Sequence, residues 1–391
     1  MRTRVGLMPK LFDRVLLTLS CFGFAGILLG GFLNFAPNRL ARGVASAIWQ
    51  APLVDAAVAI AGLSGLALLS FAPGNKRRSI ATILAAVLIL WGTLAGAGHL
   101  AALLMQAGLP AARASLGPAF WILISVTLLA VVDAMQRSSF GYPARVCVGV
   151  VLCSGFIVMA VAGAFDHLSL TREFSNERGV FLTELLRHIG LVGAATVLSL
   201  IIGVPLTIFL LRKGDAKGFV FASLGIVQTI PSIALFGVLI APMSKLSEAL
   251  PFLRALGING TGPAPAIIAL TLYSMLPLVR GFYTGFSEVA TEVKEAASAI
   301  GFGARKMFFE VELPLALPAL ISGLRVVTIQ AIGLASVAAL IGAGGLGTFI
   351  FQGIGQYALD LVLVGALPVI LLALLANLIF DMLSALARKN L

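Results

Sequence analysis

The sequence predicts an all-α, polytopic membrane protein with about ten transmembrane helices. Of its 391 residues, 60% are hydrophobic and only 11% carry a charged side chain, whereas roughly a quarter of the residues in a soluble domain are charged. The mean hydropathy is correspondingly high, at +1.06. Apolar stretches recur along the chain, and each can cross about 30 Å of hydrocarbon at about 1.5 Å per helical residue.

The apolar stretches are the predicted spans. They occupy residues 15–35, 51–72, 80–105, 118–135, 146–164, 189–211, 219–242, 264–284, 317–341 and 363–386. Lys and Arg concentrate in alternate connections, beginning with Arg2, Arg4 and Lys10, and such residues collect on the cytoplasmic side of a membrane. Both termini are therefore predicted to be cytoplasmic. The first stretch is long for a signal peptide and lacks a nearby small-residue cleavage site, so we expect a retained span.

The excess of basic over acidic residues does not indicate a nucleic-acid partner. The formal net charge is +11, but no basic run is interleaved with aromatic residues that could stack on bases. Membrane lipid is the expected surrounding instead. The cysteines and histidines lack metal-ligand spacing, so no metal site and no catalytic residue are predicted. A phosphate-binding G-x-x-x-x-G-K-[S/T] loop is also absent from the sequence, so any ATP is expected to be hydrolysed by another subunit.

A charged segment at residues 166–188 divides the chain into two halves. We predict an N-terminal membrane extension of five spans over residues 1–165, an outer connector over 166–188, and a second five-span region over 189–391. Small-residue pairs such as Gly26 with Gly30 predict close helix packing in the extension. The halves show no clear sequence repeat, so an inverted-repeat secondary transporter is not indicated.

Residues 285–314 are predicted to form a cytoplasmic loop containing a helix, a turn and a second helix. Apolar residues recur at helical spacing from Val289 to Ile300. Ser287 is the predicted N-cap, and Gly301 suits the left-handed residue that ends a helix. The second helix, near residues 304–311, is expected to stop before Pro314. The apolar stripe is too short to span a membrane, and it fits a partner's groove as well as a membrane surface.

One motif in this loop resembles a family signature. Glu295-Ala296-Ala297, followed at fixed spacing by Gly301 and then by Leu313-Pro314, is similar to the EAA motif of binding-protein-dependent ABC importer permeases. Val311 stands where that family usually has Ile. The resemblance implies a type I, methionine-permease-like core of five helices over residues 189–391. It also implies that this loop couples the permease to an ATPase subunit through the motif residues Glu295, Ala296, Ala297, Gly301, Leu313 and Pro314.

Two further segments narrow the resemblance. Residues 228–236 look like the matching segment of glycine betaine/choline-type osmoprotectant permeases, a subset of which carry such an N-terminal extension. Residues 338–347 are shared with methionine and phosphonate permeases. The glycines in that second segment also satisfy a dinucleotide-binding pattern, but no strand precedes them, so an outer gate is the better interpretation. The predicted gate glycines are Gly342, Gly344, Gly345 and Gly347.

Polar residues inside spans are candidates for the translocation path, because they are costly to bury in lipid. The candidates are Gln228, Pro231, Ser232 and Gln330. Pro231 is expected to break the seventh span. Hydrogen bonding between helices is the alternative role for each polar residue. Arg280 and Arg325 are predicted to snorkel or to form ion pairs near the cytoplasmic side.

The resemblance implies an importer subunit for glycine betaine or related quaternary ammonium compounds in a bacterial inner membrane. Its implied partners are an ATPase, a periplasmic or lipid-anchored substrate-binding protein, and a second permease subunit, either a copy or a homologue. No cofactor is expected in this chain. Two alternatives stay open: an ABC permease for another solute such as methionine, and an ion-coupled secondary transporter.

Overall fold

The computed structural model describes residues 13–38, 41–105, 111–138, 140–255 and 257–389, so Arg2, Arg4 and Lys10 lie outside it. The described chain is predominantly helical and divides into two compact units, Met1–Ser175 and Asn176–Leu391. The helices of the first unit are α1 Arg14–Leu29, α2 Leu53–Leu69, α3 Lys76–Met105, α4 Pro118–Arg137 and α5 Tyr142–Val161, and α6 Ser169–Arg212 continues into the second unit. The later helices are α7 Lys217–Thr229, α8 Ser232–Ala249, α9 Pro251–Ala255, α10 Pro263–Ser287, α11 Thr291–Ala299, α12 Ala304–Lys306, α13 Leu313–Ala335, α14 Gly347–Gly355 and α15 Leu359–Lys389.

The membrane spans agree with the predicted fold class. Within the described ranges, eight helices are long and apolar enough to cross a membrane, and α1 and α2 are shorter apolar helices of 16 and 17 residues. Residues 169–188 of the predicted connector are helical and run without a break into the sixth span. Three span boundaries differ from the prediction by six or seven residues. The first helix ends at Leu29 instead of residue 35, and the ninth ends at Ala335, before a 3₁₀ turn at Val337–Ile341. The seventh runs to Ala249 instead of residue 242.

The first helix ends early because a small sheet begins there, which the sequence interpretation missed. The strands are β1 Leu33–Ala36, β2 Val44–Ser46 and β3 Arg113–Leu116. They form an antiparallel sheet in the order β2-β1-β3. Each strand lies in a connection between spans, where short strands between apolar helices leave little periodic signal. The sheet therefore joins the α1–α2 and α3–α4 connections at the same end of the first unit.

Close helix contacts hold α2 against α3 in the first unit. A Cβ added at Gly62 would lie 2.7 Å from the carbonyl oxygen of Ala85, and one at Gly92 would lie 2.7 Å from the backbone nitrogen of Ala59. Small residues allow such close approach in lipid, where dispersion contacts drive helix association. Packing through glycines, predicted from Gly26 and Gly30, is confirmed at Gly26, whose added Cβ would lie 2.7 Å from the Ile122 side chain.

Asp13 ties four helices together at the end opposite the sheet. Its carboxylate caps α1 by accepting hydrogen bonds from the backbone N–H groups of Val15 and Leu16. The same side chain, fully buried, lies 2.6 Å from a guanidinium nitrogen of Arg78 and 3.2 Å from one of Arg137. Its backbone N–H also donates to the carbonyl oxygen of Ser70, at 3.0 Å. A buried carboxylate with this many partners fixes the ends of α1, α2, α3 and α4.

We expect Asp13→Ala to destabilise the first unit by about 3–5 kcal/mol, because it strands a buried guanidinium without a counter-charge. Arg78 is only 7% exposed, so water cannot replace the lost carboxylate. Denaturant titration of the purified protein in detergent measures the change. Asp133→Ala is the matched control: it removes a carboxylate paired with the 41%-exposed Arg137 and should cost less than about 1 kcal/mol. Equal losses of stability in the two variants would contradict the conclusion that Asp13 fixes the ends of α1, α2, α3 and α4.

Candidate coupling loop and translocation path

The predicted loop helix is α11, and its C-terminus has the expected geometry. Gly301 adopts a left-handed φ of +89° directly after the helix. The N–H of Phe302 donates to the carbonyl oxygen of Ala297 at 3.1 Å, and that of Gly301 donates to Ser298 at 3.0 Å. This pair of bonds is a Schellman motif, which satisfies the last carbonyl groups of a helix. The role predicted for Gly301 in ending the helix is confirmed.

The start of α11 differs from the prediction. Ser287 is the last residue of α10, and the residue at the N-cap of α11 is Ala290, which makes no side-chain capping bond. The N-cap assigned to Ser287 was therefore wrong. The preceding span continues one turn further than its apolar pattern indicates, so the loop helix begins only at Thr291. Glu292 still lies in the first turn of α11, where the helix dipole favours a negative charge.

The second loop helix does not stop before Pro314, so this prediction was also wrong. After α12, residues Met307–Glu312 form a π-helical turn that leads directly into α13. Pro314 lies in the first turn of α13. In that position a proline needs no backbone N–H, and the wider π-helical turn before it relieves the steric clash of its ring. The loop is thereby joined rigidly to the next span.

The motif residues divide between two surfaces. Glu295, Ala296 and Gly301 are exposed, whereas Ala297 is 7% exposed and packs against its own chain. Leu313 and Pro314 are half-buried at the start of α13. Of the apolar stripe, Val289 is buried but Ile300 is 74% exposed. A partner could therefore reach Glu295, Ala296 and Ile300, while Ala297 fixes α11 to the body of the unit.

An ion pair sets the position of α11 relative to the π-helical turn. The Lys294 ammonium lies 3.1 Å from a carboxylate oxygen of Glu312. Phe286, near the end of α10, stacks on Phe308 of the same π-helical turn, with ring centroids 5.5 Å apart. The π-helical turn is therefore joined to α11 by the ion pair and to α10 by the ring stack.

The predicted break at Pro231 is confirmed, since α7 ends at Thr229 and α8 begins at Ser232. The freed carbonyl group of Ile230 accepts a hydrogen bond from the Tyr273 hydroxyl on α10. The Gln228 side-chain amide donates to the Tyr273 carbonyl oxygen at 2.9 Å. Gln228 therefore makes the interhelical bond that was the alternative to lining a path. Pro231 is exposed, and Ser232 and Gln330 are half-buried.

The gate glycines form a left-handed segment after α13. Gly342, Gly344 and Gly345 have φ values of +78°, +75° and +87°. Gly347 packs so closely on the Ser336 carbonyl group that an added Cβ would overlap its oxygen. Side chains larger than hydrogen are strained in such a backbone. Gly342, Gly344 and Gly345 are therefore non-helical, whereas Gly347 is the first residue of α14.

The residues that hold this segment were not predicted as site residues. Glu184, on α6 and 6% exposed, accepts a hydrogen bond from the Gly345 backbone N–H at 2.5 Å. Arg187 donates to the other carboxylate oxygen of Glu184 at 3.1 Å. The fully buried His188 lies with Nε2 3.0 Å from the Ile332 carbonyl oxygen. Their spacing puts all three on one helix face, a signal that was present in the sequence of the connector.

The arginines predicted to lie within spans have distinct environments. The Arg280 guanidinium stacks over the Phe221 ring at 5.6 Å. Arg325, on α13, forms an ion pair with Asp381 on α15. Asn377, one turn before Asp381, donates its side-chain amide to the same carboxylate at 3.2 Å. The pairing predicted for Arg325 is confirmed.

Comparison with known families decides the identity of the chain. Residues 195–389 match the family described as binding-protein-dependent transport system inner membrane component. Residues 13–171 match the family described as ABC transporter permease YehY, N-terminal domain. The chain is a binding-protein-dependent transport permease. Such permeases are transport subunits and are not themselves catalytic, and the permease is embedded in a membrane by multiple spans.

Two sequence relatives agree with this assignment. The glycine betaine/carnitine/choline transport system permease protein OpuCB of Bacillus subtilis is 37% identical over 199 residues, 51% of this chain and 84% of the relative. The osmoprotectant import permease protein OsmW of Salmonella typhimurium is 36% identical over 191 residues, 49% of this chain and 84% of the relative. A solved structure of the inward-facing MetNI methionine ABC transporter matches 53% of the permease and 95% of its own chain, with 22% identity and a TM-score of 0.46.

We expect Glu184→Ala to loosen the gate glycines. A hydrogen bond to a charged group contributes about 1.5–3 kcal/mol, so the Gly345 amide should exchange its hydrogen at least about tenfold faster in the variant. Hydrogen–deuterium exchange of the purified permease, read on peptides covering residues 342–347, measures this. Glu177→Ala, two turns earlier on α6, is the control and should leave the exchange unchanged. An unaltered rate in Glu184→Ala would show that the carboxylate does not hold this segment.

Proposed function

We propose that the permease is the transmembrane subunit of an ATP-driven importer for glycine betaine or related quaternary ammonium compounds. It would lie in a bacterial inner membrane with both termini cytoplasmic. The observation that carries the proposal is the exposed EAA helix, with Glu295, Ala296 and Ile300 presented on the loop. The cargo is supported by the relatives, since OpuCB is a glycine betaine/carnitine/choline permease and OsmW an osmoprotectant permease.

The loop surface has the properties expected of a docking site for an ATPase subunit. Ala296 is exposed and small, so the backbone of a partner can approach it closely. Ile300 is 74% exposed, and covering it with an apolar groove lowers the free energy of the complex. The ATPase would bind and hydrolyse ATP, so this chain would need no cofactor of its own. Movement of α11 would reach the π-helical turn through the Lys294–Glu312 ion pair. From that turn it would reach α13 directly and α10 through the stacking of Phe308 on Phe286.

On the outer side, a periplasmic or lipid-anchored binding protein would deliver cargo to the mouth of the path. Gly342, Gly344, Gly345 and Gly347 would form the outer gate, and Pro231, Ser232 and Gln330 would lie along the path, with Gln228 supporting the break between α7 and α8. A second permease subunit, a copy or a homologue, would complete the channel. Residues 1–165 would form a membrane extension, 166–188 the outer connector, and 189–391 the transport core.

Uptake by the reconstituted transporter tests the proposal. The permease, its ATPase and its binding protein are placed in liposomes, and uptake of labelled glycine betaine is followed with ATP inside. We expect uptake that requires ATP. Stimulation of the ATPase by methionine but not by betaine would favour the alternative cargo. Uptake without ATP under an ion gradient would favour a secondary transporter.

Cross-linking from two neighbouring alanines tests the docking surface. In a background lacking Cys21, Cys147 and Cys153, we expect Ala296→Cys to capture the ATPase subunit through a short thiol cross-linker. Ala297→Cys is the matched control and should react poorly, because Ala297 is 7% exposed and packs against its own chain. Mass analysis of the cross-linked band identifies the partner. Absence of an ATPase from the Ala296→Cys product would remove the support for docking at this surface.

Gly301→Leu should reduce the coupling of ATP hydrolysis to uptake. A left-handed backbone costs a residue with a Cβ about 1–2 kcal/mol, so the helix end should shift and uptake per ATP should fall by about tenfold. Gly303→Ala is the control, because φ there is −73° and an added Cβ meets nothing within 4 Å. The ratio of uptake to phosphate release measures coupling. Normal coupling in Gly301→Leu would count against the role assigned to this turn.

A further inference from the structure

An ion pair with an exposed carboxylate lies between two spanning helices of the second unit. Arg325 is at the middle of α13, and Asp381 is in the last third of α15. Their side chains are 32% and 54% exposed. Asn377, also on α15, holds the second carboxylate oxygen of Asp381 at 3.2 Å. The three side chains form an open polar cluster on a face that is otherwise apolar.

Hydrocarbon is an unsuitable surrounding for this cluster. An ionised side chain costs at least about 2.5–3.5 kcal/mol near the centre of a bilayer, and such residues face a bundle interior or a water-filled space. Exposed leucines share this face of α15 with Asp381, at Leu374 and Leu378, seven and three residues before it. The exposed carboxylate therefore belongs to a part of the surface that water, cargo or a partner covers when the transporter is assembled.

The charges of the cluster complement the proposed cargo. A quaternary ammonium group has a permanent positive charge and no N–H donor, so it is recognised by a carboxylate or by aromatic faces. Betaine-type cargo carries a carboxylate as well, which a guanidinium binds with two parallel hydrogen bonds. If the Arg325–Asp381 pair opens around such a zwitterion, each charge exchanges one partner for another, and no charge is left unpaired.

We propose that Arg325, Asp381 and Asn377 form a binding station for quaternary ammonium cargo on the translocation path. This inference rests on the proposed function and assigns the recognition of each charge to a residue. Asp381 binds the ammonium group, Arg325 binds the carboxylate of zwitterionic cargo, and Asn377 orients Asp381. A purely structural clamp between α13 and α15 would treat all cargoes alike, and this difference makes the station testable.

The test compares two cargoes in the complete reconstituted transporter. Choline is a cation without a carboxylate, whereas glycine betaine has both charges. We expect Asp381→Asn to reduce choline uptake about tenfold more than betaine uptake, and Arg325→Gln to reduce betaine uptake about tenfold more than choline uptake. Asp215→Asn is the control, because it removes a carboxylate from an exposed turn outside the spans and should leave both rates unchanged.

The outcomes separate the station from the proposed function. In the two single variants, opposite shifts in cargo selectivity support the station. Equal losses of uptake for both cargoes, or no change, overturn it in favour of a clamp. If the unaltered transporter takes up neither cargo with ATP, the proposed function fails first. Should a single variant not accumulate in the membrane, the double variant Arg325→Gln/Asp381→Asn, which leaves no unpaired charge, replaces it. That variant should lose uptake of both cargoes with an unchanged midpoint of unfolding in denaturant, whereas a clamp predicts a lower midpoint. Retained uptake, or a lowered midpoint, would overturn the station.

Discussion

A bilayer offers the backbone no hydrogen-bond partner, so each interruption of a spanning helix must be satisfied from within the protein. The second unit meets this constraint at two places. Between α7 and α8 the Tyr273 hydroxyl binds the freed carbonyl group of Ile230. After α13 the Glu184 carboxylate binds the Gly345 N–H, at 2.5 Å. Both partners come from a neighbouring helix, so the interruptions also fix how the helices pack.

The same constraint indicates which segments of this chain are candidates for a role in transport. In the regular turns of the spans the backbone groups bond to one another and the side chains are mostly apolar, so these turns contribute packing. The interrupted segments expose backbone and polar side chains in positions that packed neighbours hold in place. Glycines with left-handed φ after α13 and the extended residues around Pro231 are therefore the best candidates for parts of a path that opens and closes.

Much of this architecture could be predicted from the sequence, for identifiable reasons. Pro231 and Gly301 have strong local preferences, and both act as predicted because nothing in the fold opposes those preferences. Ser287 and Pro314 also have local preferences, but in each case the adjacent span extends over the residue and overrides them. The pairing of Glu184 with Gly345 joins residues 161 positions apart, so no local pattern could reveal it. The strands β1, β2 and β3 were missed because each has only three or four residues, and β3 pairs with β1 from a different connection.

Close packing of α10 against α13 has a mechanical consequence. An added Cβ at Gly285 would lie 2.9 Å from that of Ala319, and one at Gly281 would lie 3.1 Å from the Cα of Gly323. Two helices this close have no room for a side chain or a lipid tail between them and resist sliding past each other. A push on the loop that joins them is therefore transmitted along their length as the movement of one stiff body. The far end of this body carries Ile332 and leads into the glycine turn beyond it, so we expect a rotation at the loop to move that turn as well.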